Sequence, residues 1–264
     1  MFIGIYDSLR SAYYAFFVPT EKGITPHEVA AIKERTDKSF RLADAESDRD
    51  LIKLFTHLYK KAGLIRQPKL IIYESNKPNA TCLHTGSIML STELLDRQTK
   101  AELAATLAHE ITHLAQKKAI HAVDILQEVS IIGLTTLIGV SVAKRVNPKE
   151  RASTKGILLI GTSLALGERI VRRLLDIPAF MFQRACEFDA DRGAVILTEN
   201  PEALITNLQN YDTWYQSTQN PDTPVKGQTF LNRLYSNHPT TQERIAHVQQ
   251  LKRRLKMENS KIIR

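Results

Sequence analysis

His109-Glu110-Ile111-Thr112-His113 is the stretch on which the fold and the chemistry of this chain turn. It lies inside Lys100 to about Lys118, an Ala- and Leu-rich run without Pro or Gly that opens behind Asp96 to Thr99, and a helix is expected there. Each residue of an α-helix advances about 100°, so positions i and i+4 lie about 40° apart on one face. Both imidazoles can therefore converge on one ion. Glu110 projects from the adjacent side, where it can take a proton from a water acidified by that ion and pass it to a leaving amine.

A catalytic zinc site takes three protein ligands and leaves one position open. Downstream, Arg184-Ala-Cys-Glu-Phe-Asp-Ala-Asp191 continues in helical periodicity, with Glu187 and Asp191 again at i and i+4. Glu187 is the candidate third ligand. Asp191, one turn further, can accept the other ring N–H of a ligand histidine and so fix its tautomer. Asp189 competes, but helical arithmetic turns it about 160° from Asp191 and about 200° from Glu187.

Outward from these helices, Asp48 or Asp50 can cap a helix that buries Leu51, Phe55, Leu58 and Tyr59 and ends at Gly63. Lys69 to Tyr73 is a short β-favouring run, Ser75 to Asn79 a turn, and Ala80 to Leu90 a second and third strand. These read as a small antiparallel sheet. Ser91 or Thr92 can cap a short helix through Leu95, and from Ile177 to Leu255 the chain reads as helices joined by the polar loop Ser217 to Gln228. The fold class is α+β, predominantly α.

Composition narrows the classes of function. Among 264 residues, 43% are hydrophobic and 24% charged, with only 11 Gly and 10 Pro, so disordered, collagen-like and low-complexity chains are excluded. Two cysteines, Cys82 and Cys186, imply no disulfide framework and a reducing, cytoplasmic setting. The net charge of +8 suits an anionic surface, but the basic residues are not interleaved with aromatics on one module, which argues against nucleic acid. Met1 to Val18 is apolar and aromatic, interrupted by Asp7 and Arg10; it is expected to be retained as a helix packed on the domain.

Val129 to Ala143 and Gly156 to Gly167 are uncharged and apolar, each shorter than the about twenty residues of a bilayer span. The connection between them is basic. A buried or peripheral helical hairpin is expected, with insertion of the 129–167 hairpin as the alternative.

Taken together, the motifs resemble the gluzincin zinc endopeptidases of the HtpX and CaaX-prenyl-protease type, which carry HExxH followed by ExxxD. Asn79-Ala80 resembles the family's Asn-Ala on the strand lining the cleft. Ser236-Asn-His238-Pro239 with Arg244-Ile245 resembles its Ser-x-His-Pro and following Arg-Ile. By this resemblance the chain has a zincin-like catalytic domain with a helical insert between the two zinc motifs. His109, His113 and Glu187 bind one zinc, Glu110 is the general base and acid, and Asp191 orients His109. His238 lies beside the oxyanion, and Asn79 and Ala80 meet a polypeptide substrate. The implied layout is an N-terminal aromatic segment and linker over 1–47, a metallopeptidase domain over 48–255 with the insert hairpin at about 120–178, and a basic tail over 256–264. HtpX-type members are integral membrane proteins with strong apolar segments; here the one before the catalytic helix is absent and the one between the zinc motifs is short.

The expected activity is hydrolysis of internal peptide bonds, in protein quality control. Two rivals stand beside it: a chaperone-like or assembly factor that holds chains in the cleft, and a peripheral membrane-binding protein working through its basic hairpin.

Overall fold

The structure, a computed structural model, describes residues 24–34, 38–64, 67–83, 86–218, 236 and 238–262. The aromatic N-terminal segment and most of the expected polar loop after Ser217 lie outside these residues. The chain divides into two compact units. The first holds the described residues within Met1–Lys117, Cys186–Val225 and Pro239–Arg264; the second holds those within Lys118–Ala185 and Lys226–His238.

In the first unit, helix α1 (Pro26–Lys33) begins with a capping box: Thr25 accepts from the Glu28 amide while the Glu28 carboxylate accepts from the Thr25 amide. Helix α2 (Arg49–Lys61) buries Phe55, Leu58 and Tyr59 as its periodicity predicts. Gly63 ends it at φ +71°, and the Gly63 and Leu64 amides return to the Lys60 and Tyr59 carbonyls at 2.9 and 3.1 Å, a Schellman closure that favours a residue without Cβ. Asp48 occupies the N-cap position, but its carboxylate takes the Asp44 amide at 2.8 Å and pairs with Arg41 instead of capping.

The sheet has the order β1 (Phe40–Leu42), β2 (Leu70–Tyr73), β4 (Ile88–Ser91), β3 (Ala80–Cys82). It is mixed, which corrects the antiparallel expectation: β1–β2 and β3–β4 are antiparallel, while β2 and β4 are parallel, Leu70 facing Ile88 and Tyr73 facing Ser91. The cause is the reversal after β3. The Leu83 amide bonds the Ser87 carbonyl at 2.7 Å and Gly86 adopts φ +89°, folding β4 back between β3 and β2. Strand β1, from Phe40-Arg41-Leu42, was not expected.

Both faces of the two central strands are covered. Ile88 and Leu90 join Phe55, Leu107, Ile111 and Leu204 in the main core, while Ile71, Tyr73 and Met89 pack with Ile32 on the opposite face. Unbroken apolar strands are the expected pattern for such double burial. Beneath α1, the fully buried Glu28 accepts from Lys69 Nζ at 2.7 Å and from the Ser87 hydroxyl. Burial alone would raise its pKa; the bonds from Lys69, Ser87 and Thr25 outweigh this and hold the carboxyl at about 2.

The short helix α3 (Thr92–Arg97) is capped by Ser91, whose hydroxyl accepts from the Leu94 amide. Helices α4 (Lys100–Arg145) and α5 (Thr154–Thr198) follow, then α6 (Pro201–Thr218) and α7 (Thr241–Ile262). The helix that carries His109 and His113 is expected to end near Lys118; it continues to Arg145 without a proline and passes through Gly133 and Gly139.

In the second unit, the α4 and α5 segments are tied by Arg172, which donates to Glu128 at 2.8 Å and to Glu168 at 3.1 Å, and by Gln127 donating to Asp176 at 2.7 Å. Their remaining side chains are largely apolar and exposed, among them Leu126, Val129, Ile132, Leu137, Leu158 and Leu166.

Candidate metal centre

Three helical segments within the first unit build the site. Helix α4 presents His109, Glu110, His113 and Gln116; α5 presents Glu187 and Asp191; α7 presents Arg244. The α4–α5 crossing is set by Thr112 and Gly193, since a Cβ on Gly193 would stand 2.1 Å from Thr112 Oγ1. Only a glycine permits that approach, and it brings the Glu187 carboxylate to the histidines.

The donor atoms of His109, His113 and Glu187 lie within 4.8 Å of one another. The two Nε2 atoms are 3.0 Å apart, and Glu187 Oε2 and Oε1 stand 3.5 and 3.6 Å from those of His109 and His113. An ion holding ligands tetrahedrally at about 2.0–2.1 Å spaces its donors about 3.3 Å apart, so the observed edges fit a metal of zinc size.

Hydrogen bonding also prepares the histidines as ligands. His113 Nδ1 lies 2.9 Å from Gln116 Oε1, and Gln116 Nε2 donates to the Cys186 carbonyl at 3.0 Å. That second bond fixes the amide so that Oε1 accepts and His113 Nδ1 donates. His109 Nδ1 lies 3.1 Å from Asp191 Oδ1, to which it donates in the tautomer that leaves Nε2 free, and 3.3 Å from Arg244 Nη2. With both Nδ1 atoms protonated, two Nε2 lone pairs face each other at 3.0 Å, an arrangement that requires a proton or a cation between them. Without a metal, one proton serves. Burial disfavours charge on either ring, but bonds from Asp191 and Glu187 lift His109 to about 9, while burial and the neighbouring charge of His109 press His113 to about 4.

Arg244 completes the arrangement. Its Nε donates to Asp191 Oδ2 at 2.9 Å, and its Nη1 lies 3.4 Å from Glu187 Oε2. Asp191 is fully buried; desolvation would raise its pKa, yet the bonds from Arg244 and His109 lower it and keep it an anion. Glu110 is buried beside them, and its charge is among those that raise the Arg244 pKa against the penalty of burial.

The other candidates sort by exposure. Asp189, the competitor to Glu187, is exposed. Burial pushes the Cys186 thiol up to about 11, so it stays protonated. Asn79 donates through Nδ2 to the Tyr73 hydroxyl at 2.9 Å, and its amide donates to Ser91 Oγ at 2.8 Å, which fixes the entry to β3. Ala80 opens β3, an edge strand among the described residues. His238 is exposed, its carbonyl accepts from the Ser236 hydroxyl at 2.7 Å, and it precedes the buried Pro239.

Residues 45–252 match the model of Peptidase family M48. The chain belongs to peptidase family M48. It is similar to Protease HtpX of Haemophilus influenzae, 31% identical over 219 residues that cover 78% of this chain and 75% of that protein. It is also similar to the Protease HtpX homologs of Campylobacter concisus, 25% identical over 234 residues (81% and 78%), and Dictyoglomus thermophilum, 26% over 212 residues (74% and 67%). As an M48 peptidase of the HtpX-like kind it is a metalloendopeptidase, and His109, His113 and Glu187 are a cluster able to hold its metal.

Two residues beside this metal cluster are not marked by the sequence pattern. Gln116 sits at i+3 from His113, a spacing that could have drawn attention to it, but its acceptor role depends on the Cys186 carbonyl. Arg244 stands in the sequence only as part of the Arg-Ile pair, and its partner Asp191 lies on another helix.

Proposed function

We propose that the chain is a zinc-dependent endopeptidase, with its catalytic domain over 48–255, that hydrolyses internal peptide bonds of unfolded or damaged polypeptides in protein quality control. The observation that carries this reading is the cluster of His109, His113 and Glu187 donors, the two Nε2 atoms 3.0 Å apart and each 3.5 or 3.6 Å from a different Glu187 oxygen, with Glu110 buried beside it. Zinc held there would acidify a water and polarise the scissile carbonyl.

The chain's own groups do the rest. Glu110 takes the proton from the attacking water and delivers it to the leaving amine. Asp191 and Gln116 hold the ligand rings in the tautomer that leaves Nε2 free, and Arg244 holds Asp191. His238 donates a hydrogen bond to the developing oxyanion, as the family resemblance implies. Substrate adds as an extended strand to the open edge of β3 beside Asn79 and Ala80, where backbone pairing makes little demand on sequence.

Casein digestion by the purified protein and by Glu110→Gln tests this. Loss of digestion in the variant is expected, because an amide cannot accept the proton; equal digestion would remove Glu110 from the mechanism and favour a cleft that only holds chains.

For localisation we propose that the second unit meets a membrane. Length does not exclude insertion, since an apolar helical stretch runs through Ala122–Arg145, 24 residues, of which only 11% of the most apolar window is buried. At 1.5 Å per residue it reaches about 36 Å, against about 30 Å of hydrocarbon. Its charged residues are Asp124 and Glu128 toward one end and Lys144 and Arg145 at the other, and Glu128 is paired with Arg172. These features support insertion of this one stretch of α4.

A further inference from the structure

A cavity of about 360 Å³ opens in the first unit between α3, the start of α4 and α6, with Pro78 on its wall. Its floor is polar but closed on itself. Gln98 Nε2 donates to Thr106 Oγ1 at 2.9 Å and to Asn207 Oδ1 at 2.6 Å, and Asn207 Nδ2 donates to Thr106 Oγ1 at 2.8 Å. The Glu102 carboxylate is occupied likewise, by Asn210 Nδ2 at 2.6 Å and by the Thr99 amide at 2.9 Å. Arg97, also on the lining, pairs through Nε with Glu93. The wall offers a different chemistry: Leu94, Pro78 and the rings of Tyr211 and Trp214, whose centroids lie 5.8 Å apart at 50°. Tyr211 is 47% exposed, an aromatic surface open to a second hydrophobic partner.

The cavity also has a definite place along the catalytic helix. Glu102, which lines the cavity, shares one face of α4 with Thr106, His109 and His113 at three- and four-residue spacing, so the cavity meets the face that carries the metal donors. Glu102 precedes His109 by two turns, about 10 Å along the axis at 1.5 Å per residue. An extended peptide covers that distance in about three residues. Pro78 stands two positions before β3, so a chain paired with β3 runs off its N-terminal end toward the cavity. Antiparallel pairing, the more stable kind, makes that outgoing segment the one C-terminal to the scissile bond.

We propose that this cavity is a substrate subsite that takes an aromatic or large aliphatic side chain about three residues beyond the cleaved bond, with Trp214 and Tyr211 as its specificity-determining contacts. The inference rests on the peptidase reading above. It gives the enzyme a preference for apolar segments, which native proteins bury and unfolded chains display.

Trp214 is the only tryptophan of the chain, so intrinsic fluorescence reports the cavity directly. The probes are tryptophan-free, alanine-rich peptides with one Phe scanned along the sequence, titrated into zinc-loaded Glu110→Gln protein. Binding is measured independently by the anisotropy of a terminal label, and bonds cut are mapped with the active enzyme. The expected result is a saturable shift of Trp214 emission when Phe lies about three residues after the cleaved bond, with binding about tenfold tighter than for the all-alanine peptide. Tyr211→Ala, which keeps the reporter and alters an exposed position, should abolish that difference. Peptides that are cut, yet bind equally with and without Phe and leave the emission unchanged, would overturn the subsite and spare the peptidase. An emission response without any cleavage would sink the peptidase reading and, with it, the assignment of the cavity to substrate, leaving only a binding site for apolar side chains. Neither response nor cleavage would overturn both.

Discussion

Gly193 of α5 faces Thr112 of α4 with no room for a methyl group: a Cβ there would lie 2.1 Å from Oγ1, 2.6 Å from Cγ2 and 2.8 Å from Cβ of Thr112. Three atoms in conflict, one of them fixed to the backbone, cannot all be relieved by a rotamer change. Gly193→Ala should therefore push α4 and α5 apart, lower stability by about 1–3 kcal/mol, as overpacking does, and weaken metal binding by separating Glu187 from the histidines. Thermal unfolding and chelator competition measure the two effects; native values of both would show that the crossing is not as tight as described.

Gln116 and Asp191 each accept the Nδ1 proton of one histidine, at 2.9 and 3.1 Å. Gln116→Leu and Asp191→Asn should each reduce zinc affinity by about 10–100-fold while leaving the three donors present. Asp191→Asn should be the worse of the two, since it also leaves the buried Arg244 facing a neutral partner. Equal, native-like affinities in a competition titration would reduce both residues to packing roles.

How far the sequence carries the site is clear from these residues. The HExxH spacing and the Glu187–Asp191 pair are legible because each lies on one helix and obeys its period. Gln116 and Arg244 are not, because their roles depend on partners 70 and 53 residues away, the Cys186 carbonyl and the Asp191 carboxylate. In the fold, the helices and three strands follow from periodicity and turn residues. The parallel pairing of β2 with β4 does not, since alternation reports which residues are buried and says nothing of strand order. The three-residue β1 is too short to show a period, and the long continuation of α4 is hidden by the change from an amphipathic to an all-apolar pattern.

Glu28 provides a pH signature. Its folded carboxyl titrates at about 2, below the usual 4.5, so its contribution to stability is complete above about pH 4.5 and is lost as pH falls through 2. Glu28→Gln leaves Lys69 without its buried counter-charge and should cost about 3 kcal/mol at neutral pH. The difference in denaturant midpoint between native protein and variant should shrink between pH 4.5 and 2; a difference independent of pH would place the effect in packing alone.

Membrane insertion of the second unit has a fractionation test. After alkaline carbonate, the protein should remain in the membrane pellet and need detergent for release. Release by carbonate or high salt would return the hairpin to a peripheral position.

The central claim is that His109, His113 and Glu187 together hold one catalytic zinc. Metal content of the purified protein by inductively coupled plasma mass spectrometry tests it most directly, alongside folded His113→Ala and Glu187→Ala. About one zinc per chain is predicted, with loss in both variants. Zinc retained at the native level in either variant, or no zinc in the native protein after reconstitution, would contradict it.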